Sequence, residues 1–163
     1  MLKKIFCGLL LAGTLAGCFK DDIKDATCNF EPCSVKAPAA DIQVVKDYLE
    51  AHNITATEHC SGVYYIIDNP GSGKTLTACG ALKASYVGSL PDGTVFDEGS
   101  FTEFYSLSNM IGGWILTLPL VKEGGKIRLY IPSTLAYGDE PPAGSGIPVN
   151  SMLIFDVTVD AVY

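Results

Sequence analysis

Beyond Cys60, apolar residues recur every second position through most of the chain. "GVYYIID" (62–68) is β-branched and aromatic. "ALKASYVGSL" (81–90) sets Leu82, Ala84 and Tyr86 on one side, and "GTVFD" (93–97) follows the turn "LPDG". "GGKIRLYIP" (124–132) puts Ile127, Leu129 and Ile131 on one face and its positive residues largely on the other. "MLIFDVTVDAVY" (152–163) repeats the alternation with Leu153, Phe155, Val157 and Val159. Period two over such lengths predicts half-buried strands. Two segments have helical spacing instead. In "APAADIQVVKDYLEAHNI" (37–54) Ile42, Val45 and Leu49 share a face that Val44 and Tyr48 broaden, with Asp41 a candidate cap and Asn53 a stop. In "MIGGWILTL" (110–118) Ile111, Trp114, Ile115 and Leu118 form a stripe, and Pro119 should bend or end it. The expected fold is α+β: a twisted antiparallel sheet of about five strands with one short helix against it, preceded by a short N-terminal helix. That first helix could dock on its own domain or pair with a second copy; its short length favours the former.

The N-terminus changes the picture of where the chain works. "MLKKIFCGLLLAGTLAGC" (1–18) has a basic start at Lys3 and Lys4, then an apolar run from Ile5 to Leu15 too short to span a bilayer as a helix. Its "LAGC" ending resembles a bacterial lipoprotein box, which implies cleavage before Cys18 and lipid on that cysteine. Residues 1–17 then read as signal peptide, 18–36 as a polar lipidated tether, 37–59 as a helical segment and 60–163 as the main domain. The expected location is the cell envelope, lipid-anchored on the periplasmic face of the outer membrane or at the cell surface. The acids just after Cys18 weakly resemble a surface-sorting signal, the alternative being an ordinary solvated spacer. The formal charge is −7, and loss of Lys3 and Lys4 makes it more negative. With 11 Lys+Arg in all, nucleic acid is excluded as a natural partner, and acyl chains rather than basic residues would hold the chain at a membrane.

Six cysteines are present. Once Cys7 leaves and Cys18 is lipidated, Cys28, Cys33, Cys60 and Cys79 remain, an even set suited to two disulfides in an exported chain. Three pairings are possible; Cys28–Cys33, closing "CNFEPC", and Cys60–Cys79, flanking a candidate hairpin, are favoured. Zinc held by the four cysteines is the competing reading, disfavoured because no C-x-x-C occurs. "DNPGSGKT" (68–75) raises a phosphate-loop question. The position that should be the loop's first glycine is Asp68, and a strand rather than a helix follows. Asn69, Pro70 and Gly71 are turn chemistry, so this stretch is expected to be a hairpin connection with no nucleotide.

"ASYVGSLPDGTVFDEG", "MIGGW", "GGKIRLYIPSTLAYG" and "SGIPVNSMLIFDV" occur in the order and at the spacing of the FKBP-type peptidyl-prolyl isomerases. The resemblance runs from about Gly62 to Tyr163. It implies a bent sheet around a short helix with an apolar pocket between them. Carried over by position, the pocket is Tyr86, Phe96, Asp97, Met110, Ile111, Trp114, Tyr137, Ile147 and Phe155. Which of Phe101, Phe104 or Tyr105 supplies an aromatic wall stays open. The residues after Trp114 depart from the family pattern: Ile115, Leu116, Thr117, Leu118 and Pro119 stand where polar or acidic residues are usual.

The implied activity has a physical basis. Rotation about a peptide bond faces a barrier of ~18–20 kcal/mol because resonance stiffens the C–N bond. The planar amide is more polar than the twisted one, so a dry aromatic box disfavours the ground state relative to the transition state. Tyr86, Phe96, Ile111, Trp114 and Phe155 would make that box. Tyr137 would donate to the substrate carbonyl, the Ile111 N–H would be a second donor, and Asp97, held by a hydroxyl such as that of Tyr86, would face the twisting carbonyl carbon. No metal or cofactor is implied, and His52 and His59 lie outside the set. Proline-containing polypeptides are the expected partners and a monomer the expected state. The rival class is a proline-peptide-binding or chaperone module with little turnover, and a third is a structural lipoprotein.

Overall fold

The computed structural model describes residues 30–163. The signal segment, Cys18 and Cys28 lie outside the described residues. In chain order the elements are helix α1 (Ala39–Ala51), strands β1 (Thr57–Glu58), β2 (Tyr64–Asn69), β3 (Ala81–Ser89), β4 (Val95–Ser100) and β5 (Tyr105–Ser106), helix α2 (Gly112–Thr117), and strands β6 (Lys126–Ile131) and β7 (Leu153–Val162). All pairings are antiparallel. The sheet runs β1-β2-β6-β7-β3-β4, with β5 pairing β3. The five long strands foreseen are present, and β1 and β5 are two-residue additions.

The alternation along β6 is used on both sides. Ile127, Leu129 and Ile131 are fully buried on the concave face. There α2 approaches so closely that a Cβ on Gly113 would lie 2.6 Å from Ile131. Tyr130 points the other way and is buried too, in register with Tyr64 and Ile154 on the neighbouring strands. Helix α1 accounts for this second apolar face: the Tyr48 ring packs 6.1 Å from that of Tyr130, and Ile42, Val45 and Leu49 are buried in the same core. The helix therefore docks on its own domain. It starts at Ala39 rather than on an Asp41 cap, because Pro38 already has helix-compatible φ (−55°) and two alanines follow. Asp41 is redirected: its carboxylate accepts from Ser133 Oγ (3.0 Å) and the Thr134 N–H (3.3 Å) just past β6. Asn53 ends the helix in the left-handed region at φ 54°, with the Ile54 N–H returned to Leu49 O. Leu116 is buried.

Two expectations need correction. Residues 68–75 do not close a hairpin, since β2 and β3 are separated by β6 and β7 in the sheet. They dock instead on the 121–125 turn. Ser72 and Gly73 N–H groups both donate to Glu123 O, and Lys122 N–H donates to Pro70 O. A Cβ on Gly71 would strike Lys122 O at 2.5 Å. The amides that a phosphate loop would offer to an anion are consumed here.

The favoured disulfide pairings do not form either. Cys33 is bonded to Cys60, 27 residues on. The route of the tether decides this: Ala37 N–H donates to Ser61 O at 2.9 Å, laying residues 33–37 along the β1–β2 turn. Cys79 is disulfide-bonded as well.

Candidate active site

Tyr86 on β3 and Phe155 on β7 fall on the concave face by strand alternation, and Trp114 rises from the first turn of α2 between them. The three rings are mutually close: Tyr86–Trp114 5.5 Å, Trp114–Phe155 5.4 Å and Tyr86–Phe155 6.4 Å between centroids. Edge-to-face packing of the first two pairs suits aromatic quadrupoles. Phe96 of β4 meets Phe155 edge-on at 5.6 Å. Gly88 makes that contact possible, since a Cβ there would lie 2.6 Å from Phe96 and 2.8 Å from Phe155.

These rings wall a cleft of about 200 Å³ lined by Tyr86, Asp97, Phe101, Met110, Ile111, Trp114, Tyr137 and Phe155, together with Asn109. Phe96 and Ile147 are not in it. They line an adjoining groove under the 142–145 flap, which shares Asp97 and Tyr137 with the cleft. The nine residues singled out in the sequence are thus gathered into two connected hollows. Phe101 is the open aromatic now placed: it packs on Tyr86 (5.4 Å) and Trp114 (6.3 Å). Tyr105 packs against it, tilted, at 4.8 Å, and Phe104 turns away to Tyr163. Asn109 gave no signal in the sequence, being a single amide at the end of a short 3-10 turn (Leu107–Asn109) before α2.

The polar groups are few. Tyr86 donates its hydroxyl to Asp97 Oδ2 at 2.8 Å. Burial first, then that bond and the Asp97 charge, push the Tyr86 phenol up to about 12. Burial, with a smaller push from Asp97, raises Tyr137 as well, so both phenols are neutral donors near pH 7. Ile111 is extended (φ −60°, ψ 150°) just before α2. Its carbonyl accepts from Trp114 and Ile115, while its own N–H precedes the helical ladder and is left for another acceptor. Trp114 Nε1 is buried with no hydrogen-bond partner among the described residues. No group of three or more His, Cys, Asp or Glu among the described residues could hold a metal ion. The site can strip water from an apolar ring, offer neutral donors to a carbonyl, and present one carboxylate.

Comparison with known proteins gives the family of this antiparallel sheet packed on a short helix beside an aromatic cleft. The model of the FKBP-type peptidyl-prolyl cis-trans isomerases matches residues 73–160, and the chain belongs to that family. It is 41% identical over 117 residues to a probable FKBP-type peptidyl-prolyl cis-trans isomerase of Haemophilus influenzae, covering 69% of this chain and 47% of the relative. Its fold is similar to the crystal structure of FkpA from Escherichia coli (TM-score 0.65, 34% identity, 76% of this chain and 60% of that one). It is equally close to a peptidyl-prolyl cis-trans isomerase of Pseudomonas syringae pv. tomato (TM-score 0.65, 30% identity, 78% and 98%). The chain spans about half the length of the Haemophilus relative.

Proposed function

We propose that the chain is a peptidyl-prolyl cis-trans isomerase acting on X-Pro bonds of exported or envelope proteins. The observation that carries this is the cleft itself: a Tyr86–Trp114–Phe155–Phe101 aromatic box with the Tyr86–Asp97 pair on one wall and the Tyr137 phenol facing it. The proline ring enters the box and loses its water. Tyr137 donates to a substrate carbonyl, with the Ile111 N–H as a second donor, and Asp97 faces the twisting carbonyl carbon. Met110 completes the wall, and Phe96 and Ile147 grip the residues next to proline through the adjoining groove. The planar amide, more dipolar than the twisted one, loses more by desolvation, so the barrier falls without a covalent step. Each tenfold in rate needs ~1.4 kcal/mol, which a few such contacts supply.

The N-terminal pattern supports a lipoprotein carried on Cys18, with residues 19–36 as tether and the domain working as a monomer at the envelope. No helix of the described residues is long and apolar enough to cross a membrane. Intact mass of the mature chain tests this through loss of Met1–Gly17 and gain of acyl mass. The isomerase reading is tested by proline-limited refolding of a protein substrate. Catalytic amounts of the chain should accelerate the slow phase; stoichiometric binding without acceleration would assign a binding module instead.

A further inference from the structure

The groove beside the cleft has walls of two kinds. Phe96 and Ile147 are apolar, Asp97 and Tyr137 are polar, and the 142–145 flap roofs them. The space is about 330 Å³, and a Cβ on Gly144 would meet no heavy atom within 4 Å. Asp97 gives Oδ2 to the Tyr86 hydroxyl, and its Oδ1 accepts no hydrogen bond among the described residues. Burial raises the Tyr137 phenol and the Asp97 charge raises it further, so that charge is felt across the groove. Asp139 and Glu140 are exposed on the turn that joins Tyr137 to the flap. The Glu140 N–H closes that turn on Tyr137 O at 3.0 Å, and the Asn150 N–H donates to Gly138 O at 2.7 Å, holding the two ends of the flap together. No cation offsets these carboxylates. Every residue lining the cleft or the groove comes from 84–121 or 129–163, and those stretches carry Asp and Glu but no Lys, Arg or His. The cations that flank them are engaged elsewhere: Lys83 donates to Thr102 O and lies over the Phe104 ring, and Arg128 pairs with Asp156.

We propose that this groove selects a basic residue, lysine or arginine, immediately before the proline of the substrate. The inference rests on the isomerase reading above and names its substrate class. The carbonyl carbon that faces Asp97 belongs to the residue before proline, so that residue's side chain enters the groove at the carboxylate the two hollows share. Lysine and arginine carry a charged head on an apolar stem. The stem lies along Phe96 and Ile147, and the head reaches the joint field of Asp97, Asp139 and Glu140. Norleucine keeps the stem and lacks the head. Glutamate meets like charge with no cation on the lining segments to relieve it. Because the carboxylates are solvated, the attraction is a field effect that salt screens.

The test uses the full chain and acetylated Ala-Xaa-Pro-Phe peptides with lysine, norleucine or glutamate as Xaa. Fluorescence of Trp114, the sole tryptophan, reports Kd for the peptide amides, and a chymotrypsin-coupled assay reports kcat/KM for the anilides. At low salt the lysine peptide should exceed norleucine roughly threefold in affinity and in kcat/KM, with glutamate last. The lysine advantage should shrink in about 1 M sodium chloride. Asp139→Asn combined with Glu140→Gln should narrow the lysine-to-norleucine ratio. Norleucine equal to or better than lysine in Kd overturns the proposal, as does a lysine advantage that neither salt nor the double substitution moves. Failure of every peptide to perturb Trp114 overturns it too. A salt-sensitive lysine preference in Kd without acceleration of any peptide would support the groove assignment and refute the isomerase reading.

Discussion

The Tyr86 hydroxyl donates to Asp97 Oδ2 at 2.8 Å, joining β3 to β4 at the wall of the cleft. The two Cα positions are offset by two residues, since Asp97 is in register with Gly88. The tyrosine therefore reaches diagonally past the glycine that admits Phe96. One hydrogen bond thereby orients the only carboxylate that lines the cleft among the described residues.

Tyr86→Phe separates the ring from the hydroxyl. The aromatic box stays closed, since the ring contacts with Trp114 and Phe101 need no oxygen. Asp97 is exposed, so water replaces its lost partner and stability changes by less than about 1 kcal/mol. The bond matters once substrate excludes that water. Expected is a fall in kcat/KM of roughly threefold to tenfold, about 0.7–1.4 kcal/mol in the transition state, with a urea midpoint close to wild type.

The raised Tyr86 phenol gives a signed pH dependence. Its pKa is about 12 in the folded protein against 10.0 ordinarily. A group whose folded pKa is raised contributes stability that is fully present below pH 10 and is lost as pH climbs towards 12, where the unfolded chain ionises first. Tyrosinate absorbance titrated on the folded protein should show a late step near 12 that Tyr86→Phe removes. Denaturation at pH 10 and 11.5 should show wild type losing more stability than the variant.

Gly88→Ala inserts a methyl group where Phe96 and Phe155 stand 2.6 and 2.8 Å away. Phe155 cannot retreat, because it also packs on Trp114, so half-exposed Phe96 must swing towards the groove it lines. Overpacking of this kind costs about 1–3 kcal/mol. Thermal unfolding should fall accordingly, and KM for proline peptides should rise as the box deforms.

Asp41→Ala cuts the polar tie between α1 and the end of β6. Two hydrogen bonds to a carboxylate are lost, to Ser133 Oγ and the Thr134 N–H, and a loss of about 1–3 kcal/mol follows. Peptide isomerisation should be unchanged, because α1 lies on the sheet face opposite the cleft. Amide exchange of α1 should accelerate relative to β7.

The inward set was legible because period-two alternation dictates which face a side chain takes. Tyr86 and Phe155 had to share the face that meets Trp114, and motif order tied β3, α2 and β7 together. Strand order was not legible from local pattern. β2 pairs with β6, some sixty residues on, and nothing near Ile67 announces a partner so distant. The hairpin drawn for residues 68–75, and with it Cys60–Cys79, failed for that reason. Cys33–Cys60 depends on the path of residues 33–37, set by a backbone hydrogen bond that carries no side-chain signature. Phe101 was ambiguous because three aromatics crowd a short loop, and only the turn geometry decides which of them faces inward.

The central claim is that this cleft lowers the barrier to X-Pro rotation through the Tyr86–Asp97 pair, the Tyr137 phenol and its aromatic floor. The most direct measurement is a protease-coupled isomerisation assay on a proline tetrapeptide, comparing wild type with Asp97→Val and Tyr137→Phe. Both positions line the cleft, and neither side chain is held in the buried core, so both variants should keep the wild-type fold by Trp114 fluorescence. The account predicts clear acceleration by wild type and a fall in kcat/KM of about tenfold or more in each variant. Uncatalysed rates for wild type and variants alike, with the fold intact, would contradict it.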